Sequence, residues 1–384
     1  MITKDTFEPS QQEIERRYAN TRAAMAKHDL DALIVSGSEY TGFEGAVRYM
    51  CGFRILHRYA YVLVPMDGEP TAVYPKEATW VGDHRQTFLE QAETIAECGK
   101  WMADQCKANG WKRVGVYGLN FIMQVCDYRA LVAAGLDIVD FDEAFDHSRA
   151  QKSEEELVSV RHSMDVNKEG VLAVNQAYEA GKTESELMSV AENVFASRGT
   201  GRNTMDMVLI GENGSVRPEM VFADPSRRVN DTDGLLYGLE VAGVGGHWVE
   251  FSRLLAPSGL SPETRRLMDA YVEYFELIKV HLKAGASAEE VHRNSIKPFR
   301  GKGWRLGHVS GHSIGMTMIE HPRIGEGSEF EIPENFVCSL HPHVMTEDLT
   351  TCLYFQDTFR AGKDGGEVLS GVPATHYRGG EASL

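Results

Sequence analysis

Apolar residues recur at helical spacing over residues 13–27, and a short apolar run over 30–37 ends in Gly37. This predicts a helix followed by a buried strand. Two β-rich runs, 61–65 and 71–74, flank Met66-Asp67-Gly68-Glu69, and Asp-Gly between such runs predicts a hairpin. The pattern then predicts a helix over 88–109, a strand over 113–117, a further helix and a strand over 136–139. Together these make a mixed α/β domain of ordinary size.

The next helix announces itself by chemistry. Ser153 and Glu156 have capping-box spacing, so the hydroxyl and the carboxylate each satisfy a free N–H of the first turn. The helix is expected to run towards Ala180 and stop at Gly181. This divides the chain into an N-terminal domain, 1–152, and a C-terminal domain, 153–384. Within the second, Ala180-Gly-Lys-Thr-Glu-Ser-Glu-Leu187 and Ala284-Gly-Ala-Ser-Ala-Glu-Glu-Val291 share one order: helix, Gly, capping hydroxyl, acidic first turn. That order is either ordinary helix punctuation or the mark of two related halves.

Composition narrows the function. The 384 residues are 42% hydrophobic and 25% charged, as in soluble domains. A net charge of −17 argues against nucleic acid and anionic membranes as partners, because phosphate contacts need a basic surface. No run of eighteen apolar residues predicts a membrane span. The polar N-terminus carries no signal segment, so a cytoplasmic enzyme is expected. The six cysteines are scattered without a CxxC pair and read as reduced core thiols.

The chemistry-bearing motifs lie in the second domain. They are Asp233-Gly-Leu-Leu-Tyr-Gly-Leu-Glu-Val-Ala-Gly-Val-Gly-Gly-His-Trp-Val-Glu-Phe-Ser-Arg253, Gly307-His-Val-Ser-Gly-His-Ser-Ile-Gly315, Phe336-Val-Cys-Ser-Leu-His-Pro-His-Val-Met345 and Leu353-Tyr-Phe-Gln-Asp-Thr358. In this order they resemble the signature strands of the creatinase, proline dipeptidase and aminopeptidase P ("pita-bread") family, and the first domain is similar to that of its creatinase and prolidase branch. The resemblance implies an α/β (α+β) fold whose C-terminal catalytic domain has internal pseudo-two-fold symmetry. It also implies a homodimer in which one subunit's N-terminal domain overhangs the other's pocket.

The family's peptidases hold two divalent ions with two Asp, one His and two Glu, which generate a hydroxide nucleophile near neutral pH. Here Glu250 and Arg253 match the second Asp and its Arg, and His312 matches the His. The first Asp falls on Leu239, or on Glu240 if a one-residue gap is allowed. His341 and Gln356 stand where the two Glu belong. Four carboxylates become at most two, which is too little charge for two dications. A single zinc, iron or manganese ion on Glu240, Glu250, His312 and His341 is the alternative.

Creatinase offers a precedent without metal, and the first expectation follows it: no cofactor, and a hydrolase cleaving a C–N bond of a small polar metabolite. His312, His341, His343, Glu250 and Glu219 are the candidate acids and bases, since imidazole titrates near neutrality and His343 shares a strand face with His341. Arg217, Trp248, Ser252, Gln356, and His57 and Arg58 from the first domain are the candidate substrate contacts. His308 is expected beside the site, and His321-Pro322 in a turn. The family's second His falls on Ile319. The alternatives are a single-metal lyase or Xaa-Pro-type dipeptidase or aminopeptidase, and a non-catalytic binding homologue.

Overall fold

A computed structural model describes residues 7–80, 87–200 and 204–380. The chain forms two compact units, one from residues up to 150 plus 316–321, the other from 151–315 and 322 onwards.

The first unit is a six-stranded sheet. Its centre is Ala32–Ser38, antiparallel to Tyr59–Pro65 and parallel to Arg113–Tyr117. Thr71–Pro75 pairs antiparallel with Tyr59–Pro65 in the register Tyr61↔Val73, so the Asp-Gly hairpin forms as expected. All of Ala32–Ser38 is buried. Alternation splits it: Leu33 and Val35 join one core with Tyr18, Met50 and Phe145, while Ile34 joins another with Met102, Val114 and Leu131. Both sheet faces are therefore covered.

The predicted helix over 88–109 is shorter than its periodicity. Gln91–Ile95 is instead an edge strand, parallel to Thr71–Pro75, and the helix is Cys98–Ala108. The open ladder edge of Thr71–Pro75 outcompetes a weak local preference, and Asp127 Oδ1 accepts from Gly99 N (2.8 Å) to fix where the helix begins. Residues 316–321 are tied into this unit by Arg149, which is buried. Its guanidinium contacts Asp146 (2.7 Å), Thr317 (2.9 Å) and Glu320 (3.0 Å). His321 belongs to this knot, with Nδ1 3.1 Å from Asp146, so its place is set by a buried carboxylate as well as by the following proline.

In the second unit the Ser153–Glu156 capping box forms, and the helix Glu154–Ala177 ends three residues short of the expected point. The echo is structural. Thr183–Glu186 and Ser287–Glu290 both make capping boxes, each opening the second helix of a pair. Each pair is followed by antiparallel strands: Thr204–Gly211, Gly234–Ala242 and Trp248–Leu255 after the first, Gly311–Ser313, Val337–Leu340 and Asp357–Ala361 after the second.

The two sheets are sewn together along one seam. Thr358 Oγ1 accepts from Glu250 N (2.9 Å) and donates to Glu250 O (3.1 Å). Ser252 N donates to Gln356 O (3.1 Å). Beside them Arg253 and Asp357, both fully buried, pair at 3.0 Å. Arg253 also donates to Val372 O (2.7 Å) and stacks over Phe251 (4.1 Å to the ring centroid). Removing one partner of such a pair strands the other charge. The Arg253→Met variant is therefore expected to lose about 3–5 kcal/mol of stability, read as the shift in denaturant midpoint against the wild type.

Candidate active site

The seam places the candidate residues. Antiparallel pairing sets Glu240 directly opposite Glu250 and Leu239 opposite Phe251. Facing side chains in such a pair point the same way, so Glu240, not Leu239, shares the pocket. Gly238 lies opposite Ser252, and a Cβ there would meet Gln356 Oε1 at 2.5 Å, so a larger residue would displace the amide.

In the second sheet His312, Ser339 and Thr358 stand in one row across three strands. His341 follows one residue past the Val337–Leu340 strand, its N–H held by Ser310 O (2.7 Å). These elements converge on Glu250. Ser339 Oγ donates to its Oε2 at 2.6 Å, and Gln356 Nε2 donates to Oε2 at 3.1 Å and to Glu240 Oε1 at 2.8 Å. His312 Nε2 lies 3.4 Å from Oε1 and His341 Nε2 lies 3.6 Å from Oε2.

The two carboxyl groups diverge. Burial favours protonating Glu250, but His312, His341 and the Ser339 donor outweigh it and hold its carboxyl down at about 2. Burial, and then the charge of Glu250, push Glu240 well above the usual carboxylate range. Burial drives His341 down to about 3. His343, lowered to about 4 by burial and secondarily by His308, is also uncharged.

These groups fit one cation. His312 Nδ1 is 2.9 Å from Ser313 O, which only accepts, so Nδ1 carries the proton. In the uncharged form that an ion would require, Nε2 then offers its lone pair towards a carboxylate oxygen. The 3.4 and 3.6 Å separations are long for hydrogen bonds, and close to the ligand–ligand edge of about 3.4 Å that metal–ligand bonds near 2.1 Å give in a tetrahedron. One ligand atom from each of Glu250, His312 and His341 lies within 4.8 Å of the others. A pair of ions fits poorly. The Gln356 amide points its hydrogens at both glutamates, where a second ion needs anionic oxygens.

Several expected residues lie outside this cluster. Trp248 is completely buried, and its backbone N–H donates to Gly315 O (2.7 Å), so it is core rather than a substrate contact. Ser252 is also fully buried. Its hydroxyl donates to Tyr354 O (3.0 Å) and accepts from Gln356 N (2.6 Å), so it holds two site residues in place and does not face substrate. Arg217 and Glu219 are exposed. Arg217 lines a separate cavity of about 310 Å³ with Arg227, Arg228 and Asp233, roughly 20 Å of strand from Glu240 at about 3.3 Å per residue. His57 and Arg58 are exposed on the first unit, facing Glu39 (3.6 Å) and Glu77 (2.5 Å). Arg253 pairs with Asp357 rather than with Glu250.

Two site residues escaped the sequence reading. Ser339 and Tyr354 sit two positions before His341 and Gln356, and period-two alternation was the available signal. The hydroxyl of Tyr354 lies 3.0 Å from His341 Nδ1. The rings of His308, His341 and His343 surround it at 5.6, 5.3 and 5.2 Å. Tyr271, also unanticipated, sends its hydroxyl to Pro342 O and Leu353 O, stitching together the loops that carry His341 and Tyr354.

The low value for His343 carries a sign. Uncharged in the fold but protonated below about 6.5 when unfolded, it makes the folded state lose stability as pH falls from 6.5 towards 4. The His343→Gln variant is expected to show a shallower fall in melting temperature over that window, measured by thermal unfolding at stepped pH.

Comparison with known proteins places this geometry in a family. Residues 17–151 match the creatinase/prolidase N-terminal domain and residues 159–366, more than half of the chain, match metallopeptidase family M24. An Xaa-Pro dipeptidase of Pyrococcus horikoshii is 22% identical, covering 90% of this chain and 94% of that protein. The X-Pro aminopeptidase of Thermotoga maritima superposes with a TM-score of 0.78 at 17% identity, covering 94% and 99% of the two chains. Dipeptidase PepE of Mycobacterium ulcerans gives 0.80 at 16% identity, covering 96% and 99%. The chain belongs to metallopeptidase family M24, with a creatinase/prolidase N-terminal domain and a pita-bread C-terminal domain, and the expectation of a hydrolase acting on carbon–nitrogen bonds stands at that level.

Proposed function

We propose that the protein hydrolyses the amide bond of a small peptide-like substrate of the Xaa-Pro type, using one divalent ion held by Glu250, His312 and His341. The observation that carries this is the pair of long contacts from two imidazole nitrogens to the two oxygens of one ionised, buried carboxylate. The first expectation, a metal-independent creatinase-like hydrolase, has less support, since the matched family is one of metallopeptidases and the relative matched over 94% of its length is named an Xaa-Pro dipeptidase. A bound ion would supply a water of lowered pKa and polarise the scissile carbonyl.

The chain's own groups do the rest. Glu250 stays anionic because Ser339 and Gln356 donate to it. Glu240, its carboxyl raised by burial and by the charge of Glu250, is the group assigned to give a proton to the departing nitrogen. Gln356 spans the two glutamates and keeps their charges apart. His343 and His308 line the side of the site beside Tyr354 with uncharged hydrogen-bonding rings. His57 and Arg58, exposed on the first unit, are the groups left for a partner subunit's pocket.

Elemental analysis of the purified protein is expected to give one zinc, iron or manganese ion per chain. The His312→Ala variant is expected to lose both the ion and at least a hundredfold of any Xaa-Pro dipeptide turnover. Metal-free protein with full turnover would overturn the proposal in favour of proton chemistry alone. Gln356→Glu places a third carboxyl beside Glu240 and Glu250. Its melting temperature is expected to fall below the wild type in chelator and to recover on adding manganese or zinc, with bound metal rising above one per chain. A variant indifferent to divalent ions would show that Gln356 does not set the ion count.

A further inference from the structure

The hydroxyl of Tyr354, 3.0 Å from Nδ1 of His341, touches the ring nitrogen that faces away from Glu250. An uncharged imidazole carries one proton. Whatever meets Nδ1 therefore decides whether Nε2 offers a lone pair or an N–H. For His312 the matter is closed, since Ser313 O only accepts. For His341 it is open, because a phenol both donates and accepts. If Tyr354 donates to Nδ1, the proton sits on Nε2 and the ring cannot bind a cation. If Tyr354 accepts from Nδ1–H, Nε2 is free.

The phenol cannot drift away from this contact. Its backbone carbonyl accepts from Ser252 Oγ (3.0 Å), and the preceding carbonyl, Leu353 O, accepts from Tyr271 (3.1 Å). When Tyr354 accepts, its own hydrogen needs an acceptor. His343 packs edge-on against the phenol with ring centroids 5.2 Å apart, and its buried Nε2 has no hydrogen-bond partner among the described residues.

Building on the single-ion reading, we propose that Tyr354 is a positioning residue that selects the tautomer of His341. Its oxygen accepts a hydrogen bond from Nδ1–H, its hydrogen turns to His343, and Nε2 of His341 is left bare for the ion. His343, Tyr354 and His341 then form one relay whose far end is a metal ligand. Partners of this kind typically change metal affinity by about 10–100-fold.

The test is zinc titration of the full-length protein against a competing chelator, for the wild type and Tyr354→Phe, with imidazole ¹⁵N shifts of the zinc-loaded wild type. The His341 signals are assigned by their loss in His341→Gln. The variant is expected to bind zinc about 10–100-fold more weakly, with a circular-dichroism spectrum like that of the wild type. In zinc-loaded wild type His341 is expected to carry its proton on Nδ1. Equal zinc affinity in a folded variant overturns the tautomer assignment. So does a loaded wild type with the His341 proton on Nε2, an outcome readable even if the variant does not fold. A wild type that takes up no zinc, iron or manganese sinks the single-ion reading itself, and the tautomer proposal with it.

Discussion

One ionised carboxylate, buried at the seam between two sheets, organises this protein's site. Leaving Glu250 charged away from water is costly unless donors or cations surround it. Ser339 and Gln356 donate to it, and His312 and His341 face it, from three separate segments of the chain. The backbone of Glu250 is fixed at the same time by Thr358. Main chain and side chain of one residue thus draw both halves of the domain together, and the geometry of any bound ion follows from that closure.

The family pattern of four carboxylates around two ions is replaced here by a lower-charge arrangement with its own internal consistency. One glutamate is held low and its opposite number is pushed up, with an amide spanning both. Each change would be unfavourable alone. An amide among four carboxylates leaves charge uncompensated, and an imidazole beside two dications adds none. Together they lower the negative charge of the pocket, which is why Gln356, His341 and Glu240 are best understood as a set.

Structural residues stand one step behind that set. Ser252 fastens the backbone on either side of Phe355, and Tyr271 fastens the loops on either side of the His341–Tyr354 contact. Neither faces the chemistry. Both limit how far the reacting groups can move, and a site that depends on tenths of an ångström needs such support.

Local chemistry was readable along the chain. The capping boxes at Ser153, Thr183 and Ser287, the Asp-Gly hairpin and the alternating strands follow from neighbours within four residues, where sequence spacing is spatial spacing. The ordered motifs around Glu250, His312, His341 and Gln356 likewise identified the fold and the members of the cluster. What needed tertiary structure was everything set by strand register and by the seam. A one-residue choice brings Glu240 or Leu239 inward, and only pairing with Trp248–Leu255 makes it. The edge strand Gln91–Ile95 exists because another strand's ladder was open beside it. Ser252 and Trp248 turned out to be framework, and Tyr354 a partner of His341, because hydrogen bonds between residues a hundred or thirteen positions apart have no period in the sequence.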